Sequence, residues 1–511
     1  MTGAAGSRAS RPASSQDRDG AGIPLRALAA RLERALGPVG LEGDVETAVG
    51  SVEHDHRRLA ARPASSGAGP LFCCLVGEHH DGHDLAGEAV AAGAVAFLCE
   101  RPLGESAAGR PQLVVGPGRG RPAMAEAACA VSGDPASFLT TIGVTGTNGK
   151  TTTTHLLLAI LEEAGYEASV IGTLSGARTT PEAPELQEQL ASARRRGEES
   201  SRPAAVALEV TSHALVQHRV DGYCHDVAVF TNLSQDHLDF HKTMEAYFAA
   251  KASLFTPAHA RAGVVNRDDA YGRRLLELSC IPTESFSLAE AEGLRLSRSG
   301  SRFLLHGHEV SLCLLGRFNV ENALAAAAAA RLLGVDPARI AAGLSRAAPV
   351  RGRFEQVENS LGLAVVVDFA HTPAGLEQAL AALRPLLGRE GRLLVVFGAG
   401  GDRDREKRPL MGRAAAAGAE VVVVTSDNPR HEEPEAIIAE VVAGCQGAGE
   451  LHVEPDRRRA IALGLSLAAE DDIVLVAGKG HETTQQLGDE LVAFDDRLVV
   501  GEESARLAGA A

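Results

Sequence analysis

The chain has 511 residues, 45% of them hydrophobic, enough for about three domains with substantial cores. Its 50 Lys and Arg against 66 Asp and Glu leave a net charge of −16, and it has no Trp; both argue against nucleic acid as a partner. Eight cysteines without a C-x-x-C pair argue against a zinc site or a disulfide framework, and no apolar run is long enough to span a membrane, so a cytoplasmic protein without membrane insertion is expected.

Residues 1–22 are rich in Ser, Ala, Gly, Arg and Asp without an apolar stretch, and read as a disordered tail rather than a signal peptide. Residues 23–135 read as a first α/β unit. Strands are predicted at PLFCCLVG (70–77), VAFLCE (95–100) and QLVVG (112–116), with a helix at 83–94 and a Pro/Ser/Gly loop at 63–69. Histidines and acids at 54–57 and 79–84 invite a metal-site reading, but they lie in polar loops and suit turns with side-chain caps better.

Residues 136–350 read as a second α/β unit, which opens on the most informative stretch of the chain. FLTTIGV is an apolar strand, TGTNG a tight loop, and Lys150 with the threonines after it begins a helix. Strand, glycine loop, Lys-Thr and helix make a phosphate cradle. Backbone N–H groups along Gly146, Thr147, Asn148 and Gly149 approach phosphate oxygens, and Lys150 reaches the β/γ-phosphates. Thr151 and Thr152 follow at the helix N-terminus, with the Thr151 hydroxyl placed for Mg²⁺. The strict pattern G-x-x-x-x-G-K-[ST] is missed, because Val144 stands at its first glycine.

AAVALEV (204–210) is a strand that delivers Glu209 where a phosphate-loop protein holds Mg²⁺; a buried Glu paired with a neighbouring lysine is the alternative. VAVFTNLSQDHLDFH (227–241) repeats the form, a strand followed by Asn232, Asp236, His237, Asp239 and His241; Asp236 also suits a helix cap. The segment 195–203 reads as a polar surface loop. From periodicity alone Lys251, in MEAYFAAKASLF, is a surface lysine. AGVVNRDDAYG (262–272) is a strand and turn, and GRFNVENALAAAAAA (316–330) is a loop and a buried Ala-rich helix carrying Asn319 and Asn322.

Residues 351–511 read as a third unit, with strands at 363–371, 392–398, 420–428 and 472–480. Continuous Val/Leu runs alternating with helices imply a parallel sheet covered on both faces. Each strand ends in polar residues: Asp368 and His371; Gly400 to Arg403; Asp427, Asn428, Pro429 and Arg430; Lys479, His481 and Glu482. Four such endings on one sheet form one crevice. GAGGDRD lacks the third glycine and the ribose acid of a dinucleotide site. Arginines mixed with carboxylates suit a zwitterionic substrate. The fold class is therefore α/β in three domains, with a P-loop-like parallel sheet in the centre and a Rossmann-like sheet after it.

In order, the chain carries TGTNGKTTT, TTPEAPELQ, EVTSHALVQHRVDG, FTNLSQDHLDFH, AAKASLF, GRFNVENALAA, VRGRFE, VVDFAHTPAGL, FGAGGDRDREKRPLMG, TSDNPRHEEP and AGKGHE. Together these segments resemble the Mur ligase family, most closely its MurE type. The resemblance implies a UDP-binding domain (23–135), a central ATP-binding domain (136–350) and a Rossmann-like amino-acid-binding domain (351–511). It implies an ATP- and Mg²⁺-dependent ligase that adds meso-2,6-diaminopimelate to UDP-MurNAc-L-Ala-D-Glu in peptidoglycan precursor synthesis, with no obligate protein partner.

Under that resemblance Lys150, Thr151 and Glu209 match ATP and magnesium positions, and His237 accompanies a second metal. Lys251 matches a lysine carbamylated to N6-carboxylysine that helps hold Mg²⁺, which displaces the surface reading. Asn319, Asn322, Arg353, Asp368 and His371 match nucleotide contacts. Thr179, Thr180, Thr211, Gln217 and Arg219 match contacts to the UDP-sugar-dipeptide. Asp427, Asn428, Pro429 and Arg430, with Arg403, Gly478 and Glu482, match the pocket of diaminopimelate-adding members. Diaminopimelate has one carboxylate more than lysine, and Arg403 and Arg430 supply charge for it. The chain departs from the family at HDHR (54–57), where DSR is usual, and at Thr211, where Ser is usual. Other readings are the same ligation with L-lysine, a folylpolyglutamate synthase-like ligase, a catalytically silent UDP-sugar-peptide binding protein, and a P-loop NTPase motor.

Overall fold

The computed structural model describes residues 22–60, 67–77 and 80–510. The tail expected at 1–22 (apart from Gly22), most of the 63–69 loop and His79 lie outside the described residues. Three large sheets follow one another along the chain, within 23–114, 140–286 and 355–477.

In the first sheet Ala48–Glu53, Gly69–Cys73, Ala96–Cys99 and Gln112–Val114 run parallel, and Ile23–Pro24 and Gly40–Glu42 pair antiparallel at the two edges. The strand predicted at 70–77 stops at Cys73. The helix predicted at 83–94 divides into a 3-10 turn, Gly82–Leu85, and a helix, Ala86–Ala91. No cluster of metal-ligating side chains occurs among the described residues. Asp55 and Asp81 instead cap short helical turns, accepting from Arg57 N and His83 N.

The second sheet is wholly parallel, in the order Thr283–Phe286, Ala260–Asn266, His225–Phe230, Thr140–Thr145, Ala204–Glu209, Glu167–Ile171. Apolar side chains on both faces of its strands meet helices on both sides. One face packs on Leu156, Leu157 and Ile160 of helix Lys150–Glu163 and on Val320 and Leu324 of helix Arg317–Leu332. The other packs on Leu186 and Leu190 of helix Ala183–Ser200 and on Tyr247 and Phe248 of helix Met244–Ala252. The Ala-rich segment is buried, as its composition predicts. Strand Thr140–Thr145 lies mid-sheet with neighbours on both sides, so the loop after it sits at a topological switch point.

Two local expectations fail here. The segment 195–203 is not a loop throughout: the helix continues to Ser200, with Arg194 and Glu198 paired at i,i+4 and Gly197 packed too close to Ala204 for any side chain. Asp236 does not cap a helix. Its carboxylate accepts from His237 N at 2.8 Å, and His237, at φ 53°, is the residue that starts helix Leu238–His241.

The third sheet has the order Glu355–Gln356, Ala364–Asp368, Ile473–Ala477, Leu393–Phe397, Val421–Val424, Glu450–Val453, parallel except for its first strand. All four strands predicted for this unit are present, trimmed at their ends. A hairpin, Thr484–Leu487 with Glu490–Ala493, follows the sheet. A three-stranded antiparallel sheet, Glu292–Ser297, Gly300–Leu305 and His308–Leu312, comes between the second and third sheets. Arg298, in the first turn of that small sheet, donates to Leu386 O and Asp471 O at 2.8 and 2.7 Å and so ties it to the third unit. Among the described residues no helix is long and apolar enough to cross a membrane, and all eight cysteines are free thiols.

Candidate active site

The carboxyl ends of the second and third sheets face one cleft of about 700 Å³. At its floor lies the loop after strand Thr140–Thr145. Thr147 N donates to Asn232 O at 2.9 Å, and Asn148 N to the Asn232 side chain at 3.0 Å. Thr231 Oγ1 donates to Asn148 O at 2.6 Å. The loop is thus pinned to the end of the neighbouring strand, which requires close approach. A Cβ on Gly149, at φ 87°, would come within 2.3 Å of Asn322 Oδ1, and one on Gly146 would strike Thr231. Gly149 also starts the helix Lys150–Glu163, whose N-terminus faces the cleft.

Two lysines converge on this loop. Lys150 Nζ donates to Gly146 O and Thr147 O, both at 2.9 Å, and Lys251 Nζ donates to the same Gly146 O at 2.8 Å. Lys251 is only 1% exposed, so the surface reading drawn from periodicity is wrong. Tyr247 and Phe248 turn the same helix face into the core, and Lys251 follows Tyr247 by one turn, its ammonium 4.7 Å over that ring. Burial, reinforced by the Lys150 charge, drives the Lys251 pKa well below the usual lysine range; burial also lowers that of Lys150, with Glu209 opposing.

Glu209, equally buried, accepts from Thr151 Oγ1 at 2.9 Å, from Thr173 N at 2.9 Å and from Thr173 Oγ1 at 3.2 Å. Its hydrogen-bond partners are therefore a backbone amide and hydroxyls rather than a lysine. A carboxylate beside a hydroxyl is a hard-oxygen donor set, and with phosphate oxygens it fits Mg²⁺, which takes few protein ligands. His237 lies edge-on to His213, ring centroids 4.9 Å apart, and burial pushes its pKa down to about 4.

Thr180 joins the Glu209 strand to the segment before helix Ala183–Ser200. Its hydroxyl donates to Glu209 O at 2.8 Å and accepts from Thr211 N at 3.1 Å. Arg219 donates to Thr180 O at 2.9 Å and to Gln217 Oε1 at 2.6 Å, and pairs with Glu182 at 2.8 Å. Gln217 thus supports Arg219 without lining the cleft. On the opposite wall Asn322 Nδ2 donates to Asn319 Oδ1 at 3.1 Å. Asp368 accepts from Phe354 N and Ala370 N, bracing the loop of Arg353. The Arg353 guanidinium stacks 4.4 Å over the Phe369 ring.

Of the residues singled out in the sequence, Thr147 to Thr152, Thr179, Thr180, Glu209, Thr211, Arg219, His237, Asn319, Asn322, Arg353, Asp368, His371 and Arg403 line this cleft. Gly146 and Lys251 lie beneath it. Asp427, Asn428, Arg430, Gly478 and Glu482 form an adjoining cluster; three of the four strand endings of the third sheet reach the cleft, through His371, Arg403 and His481, and the 427–430 ending lies beside it. Gly400 joins the two regions: a Cβ there would be 3.1 Å from Arg430 Nη1 and 4.0 Å from Arg403 Cγ. Within the cluster Asn428 Nδ2 donates to Glu482 at 2.8 Å, and the fully buried Lys479 donates to Asn428 Oδ1 and Glu482 at 3.1 and 3.0 Å.

Sequence reasoning left Thr173, Arg178, His213, Phe318 and Glu321 out of the site, although all line the cleft. Thr173 and Arg178 come from a connecting segment without periodicity. His213 had a signal, because it comes four residues after Glu209, in the helix Ser212–Val216 that follows that strand end.

Residues 144–330 match the Mur ligase middle domain and residues 352–480 the Mur ligase, glutamate ligase domain. The chain is 42% identical over 484 residues to the UDP-N-acetylmuramoyl-L-alanyl-D-glutamate--2,6-diaminopimelate ligase of Syntrophomonas wolfei subsp. wolfei, covering 90% of this chain and 96% of that protein. The protein of the same name from Geobacillus kaustophilus is 43% identical over 475 residues, covering 88% and 93%. Among solved structures, one of a UDP-N-acetylmuramoyl-L-alanyl-D-glutamate--2,6-diaminopimelate ligase superposes with a TM-score of 0.64 at 32% identity, covering 95% of this chain and 99% of that one. With identity of this extent along nearly the whole length, the chain belongs to the Mur ligase family, in its UDP-N-acetylmuramoyl-L-alanyl-D-glutamate--2,6-diaminopimelate ligase branch.

Proposed function

We propose that this protein is a cytoplasmic ATP-dependent ligase that joins meso-2,6-diaminopimelate to the D-Glu carboxylate of UDP-MurNAc-L-Ala-D-Glu, within domains bounded near residues 135 and 350. The observation that carries the reading is the pairing, in one cleft and its margin, of a phosphate loop with two arginines, Arg403 and Arg430, next to each other. The identity to the curated ligases supports it over the L-lysine, folylpolyglutamate, silent-binder and motor alternatives.

The substrate carboxylate is a poor electrophile. One of its oxygens attacks the γ-phosphorus of ATP, the bond to the β–γ bridging oxygen breaks, and ADP leaves an acyl phosphate. The Lys150 ammonium and the loop amides offset the charge on the transferring group. Thr151 and Glu209 are the residues that would hold Mg²⁺, which when bound neutralises phosphate charge. The diaminopimelate amine then attacks the acyl carbon, the tetrahedral adduct expels inorganic phosphate, and the amine gives up its proton. Thr180, Thr211 and Arg219 hold the dipeptide end, while Arg403 and Arg430 take the distal carboxylate of the amino acid. Closure of the third unit over the cleft excludes the water that would hydrolyse the acyl phosphate.

Lys251 is the candidate for carbamylation. Its depressed pKa favours the neutral amine, whose lone pair attacks CO₂ and releases one proton, giving an anionic carbamate. That anion and His237 would complete a second metal position, which a free ammonium opposes.

The test is product mass after incubating the purified protein with UDP-MurNAc-L-Ala-D-Glu, ATP and Mg²⁺, with meso-diaminopimelate or L-lysine in parallel. Product with diaminopimelate alone is expected. Product with lysine alone would keep the ligase and discard the assigned amine. ATP hydrolysis without product would favour the motor reading.

A further inference from the structure

The amino-acid pocket is presented by the ends of two strands that do not touch. Val421–Val424 leads into Asp427 to Arg430, and Ile473–Ala477 leads into Gly478 to Glu482; Leu393–Phe397 lies between them. With neighbouring strands about 4.8 Å apart, the two endings start almost 10 Å from one another. No ladder hydrogen bond joins them directly: each pairs with the middle strand, up to Val424 and Ala477, and the loops beyond have no ladder between them.

Arg457, the first residue of helix Arg457–Leu467, spans that gap. Its Nη1 donates to Ser426 O at 3.4 Å, one residue before Asp427, and its Nη2 donates to Ala477 O at 3.0 Å, one residue before Gly478. The other side of the guanidinium is held by Asp496, at 2.8 and 2.7 Å through Nε and Nη2. Both side chains are fully buried. A bidentate carboxylate fixes the plane of the guanidinium, and the plane fixes where the two carbonyls sit. Beyond the clamp the loops interlock further. Gly478, at φ 117°, passes so near Asp427 that a Cβ would meet its carboxylate at 2.4 Å. Asn428 and Glu482 meet directly.

We propose that Arg457, held by Asp496, is a positioning residue for amino-acid selection: it sets the separation of the 427–430 and 478–482 loops and hence the aim of Arg430 and Glu482. It touches no substrate. The inference rests on the ligase reading above and adds a determinant behind the pocket.

The test uses the full-length protein with two variants. R457K keeps the charge but loses the planar fork. The double variant R457M/D496N removes both charges at similar volume, which spares the fold the cost of one buried unpaired ion. Steady-state KM values are measured for diaminopimelate, ATP and the UDP-sugar-dipeptide, with folding verified by circular dichroism. The expected result is a rise in the diaminopimelate KM of about ten-fold or more in the double variant and less in R457K, with the other two KM values within about two-fold of wild type. The preference for diaminopimelate over L-lysine falls in parallel. An unchanged diaminopimelate KM in the folded double variant, or an equal rise in all three constants, would overturn the assignment. Wild type, assayed alongside with each amino acid, judges the ligase reading separately. Product with L-lysine alone would move the amine assignment and leave Arg457 to be judged on the lysine KM; no product with either would overturn both.

Discussion

The phosphate loop and the 427–430 loop occupy equivalent places, each at the carboxyl edge of a parallel sheet, but they hold charge differently. Around the phosphate loop, Lys150 and Lys251 share one carbonyl oxygen, and Glu209 is taken up by two threonines. In the third unit the buried cations behind the pocket have carboxylates of their own. Lys479 bonds Glu482, Arg457 bonds Asp496, and Arg408 bonds Glu432 and Glu440 behind the 400–403 turn. On the proposed reading, the first region has its charge completed by a polyanionic ligand. The second has its internal pairs already made, and on the proposed reading it selects by shape and by the arginines at its rim.

The contrast breaks most visibly at Lys150. Lys150→Ala is expected to lower kcat by about 10³-fold or more, read as phosphate release, because its ammonium is the cation carried by the phosphate loop itself, bonded to Gly146 O and Thr147 O. A loss under ten-fold would show that the loop amides alone suffice.

Lys251 sharpens the comparison, since its proposed role depends on charge sign. Lys251→Arg keeps the positive charge and is expected to lose about 10²-fold in activity, as Lys251→Ala does. ¹³C-bicarbonate should label a carbamate carbon in the wild-type protein by NMR. Full activity in the arginine variant would sink the modification.

At the 427–430 loop the effect is smaller and confined to one substrate. Arg430→Gln is expected to raise the diaminopimelate KM by roughly 10- to 100-fold, the worth of a charge-assisted hydrogen bond, leaving the ATP KM unchanged. A matching rise in the ATP KM would erase the distinction between the two regions.

The smallest effect is on stability in acid. Burial holds His225 at about 3 and His237 and His241 at about 4 in the central unit, against an ordinary 6.5. Their folded pKa values lie below the unfolded ones, so the unfolded chain binds more protons between the two. The stability from keeping these imidazoles neutral is complete above about pH 6.5 and falls as pH drops towards 4. Urea midpoints should therefore decline from pH 7 to pH 4.5, and a flat profile would contradict this.

Much of this was legible because it is local. The phosphate loop is a contiguous string, and the central strands are unbroken apolar runs. The Glu209 and Asp368 endings follow from strands delivering polar residues to the carboxyl edge. Other features depend on tertiary context. The pairs Ile23–Pro24 and Glu355–Gln356 are too short to carry a period. Lys251 looks exposed until Tyr247 and Phe248 are seen to face inward. The 195–200 segment looks like a loop because its polarity hides Gly197, packed on Ala204. Arg457 begins a run of three arginines that reads as surface charge, yet it is buried against Asp496, 39 positions away in sequence.

The order of strands in the third sheet bears on how the protein is made. Ile473–Ala477 separates Ala364–Asp368 from Leu393–Phe397, so two apolar strands leave the ribosome with no partner between them. At roughly 5–20 residues per second, the inserting strand follows several seconds later. During that interval the nascent chain carries two open hydrophobic edges, while the central sheet already has all its strands. A ribosome stalled before residue 473 would thus release a chain that holds the phosphate loop but is prone to aggregate, and chaperones should engage this stretch of the translating protein most strongly.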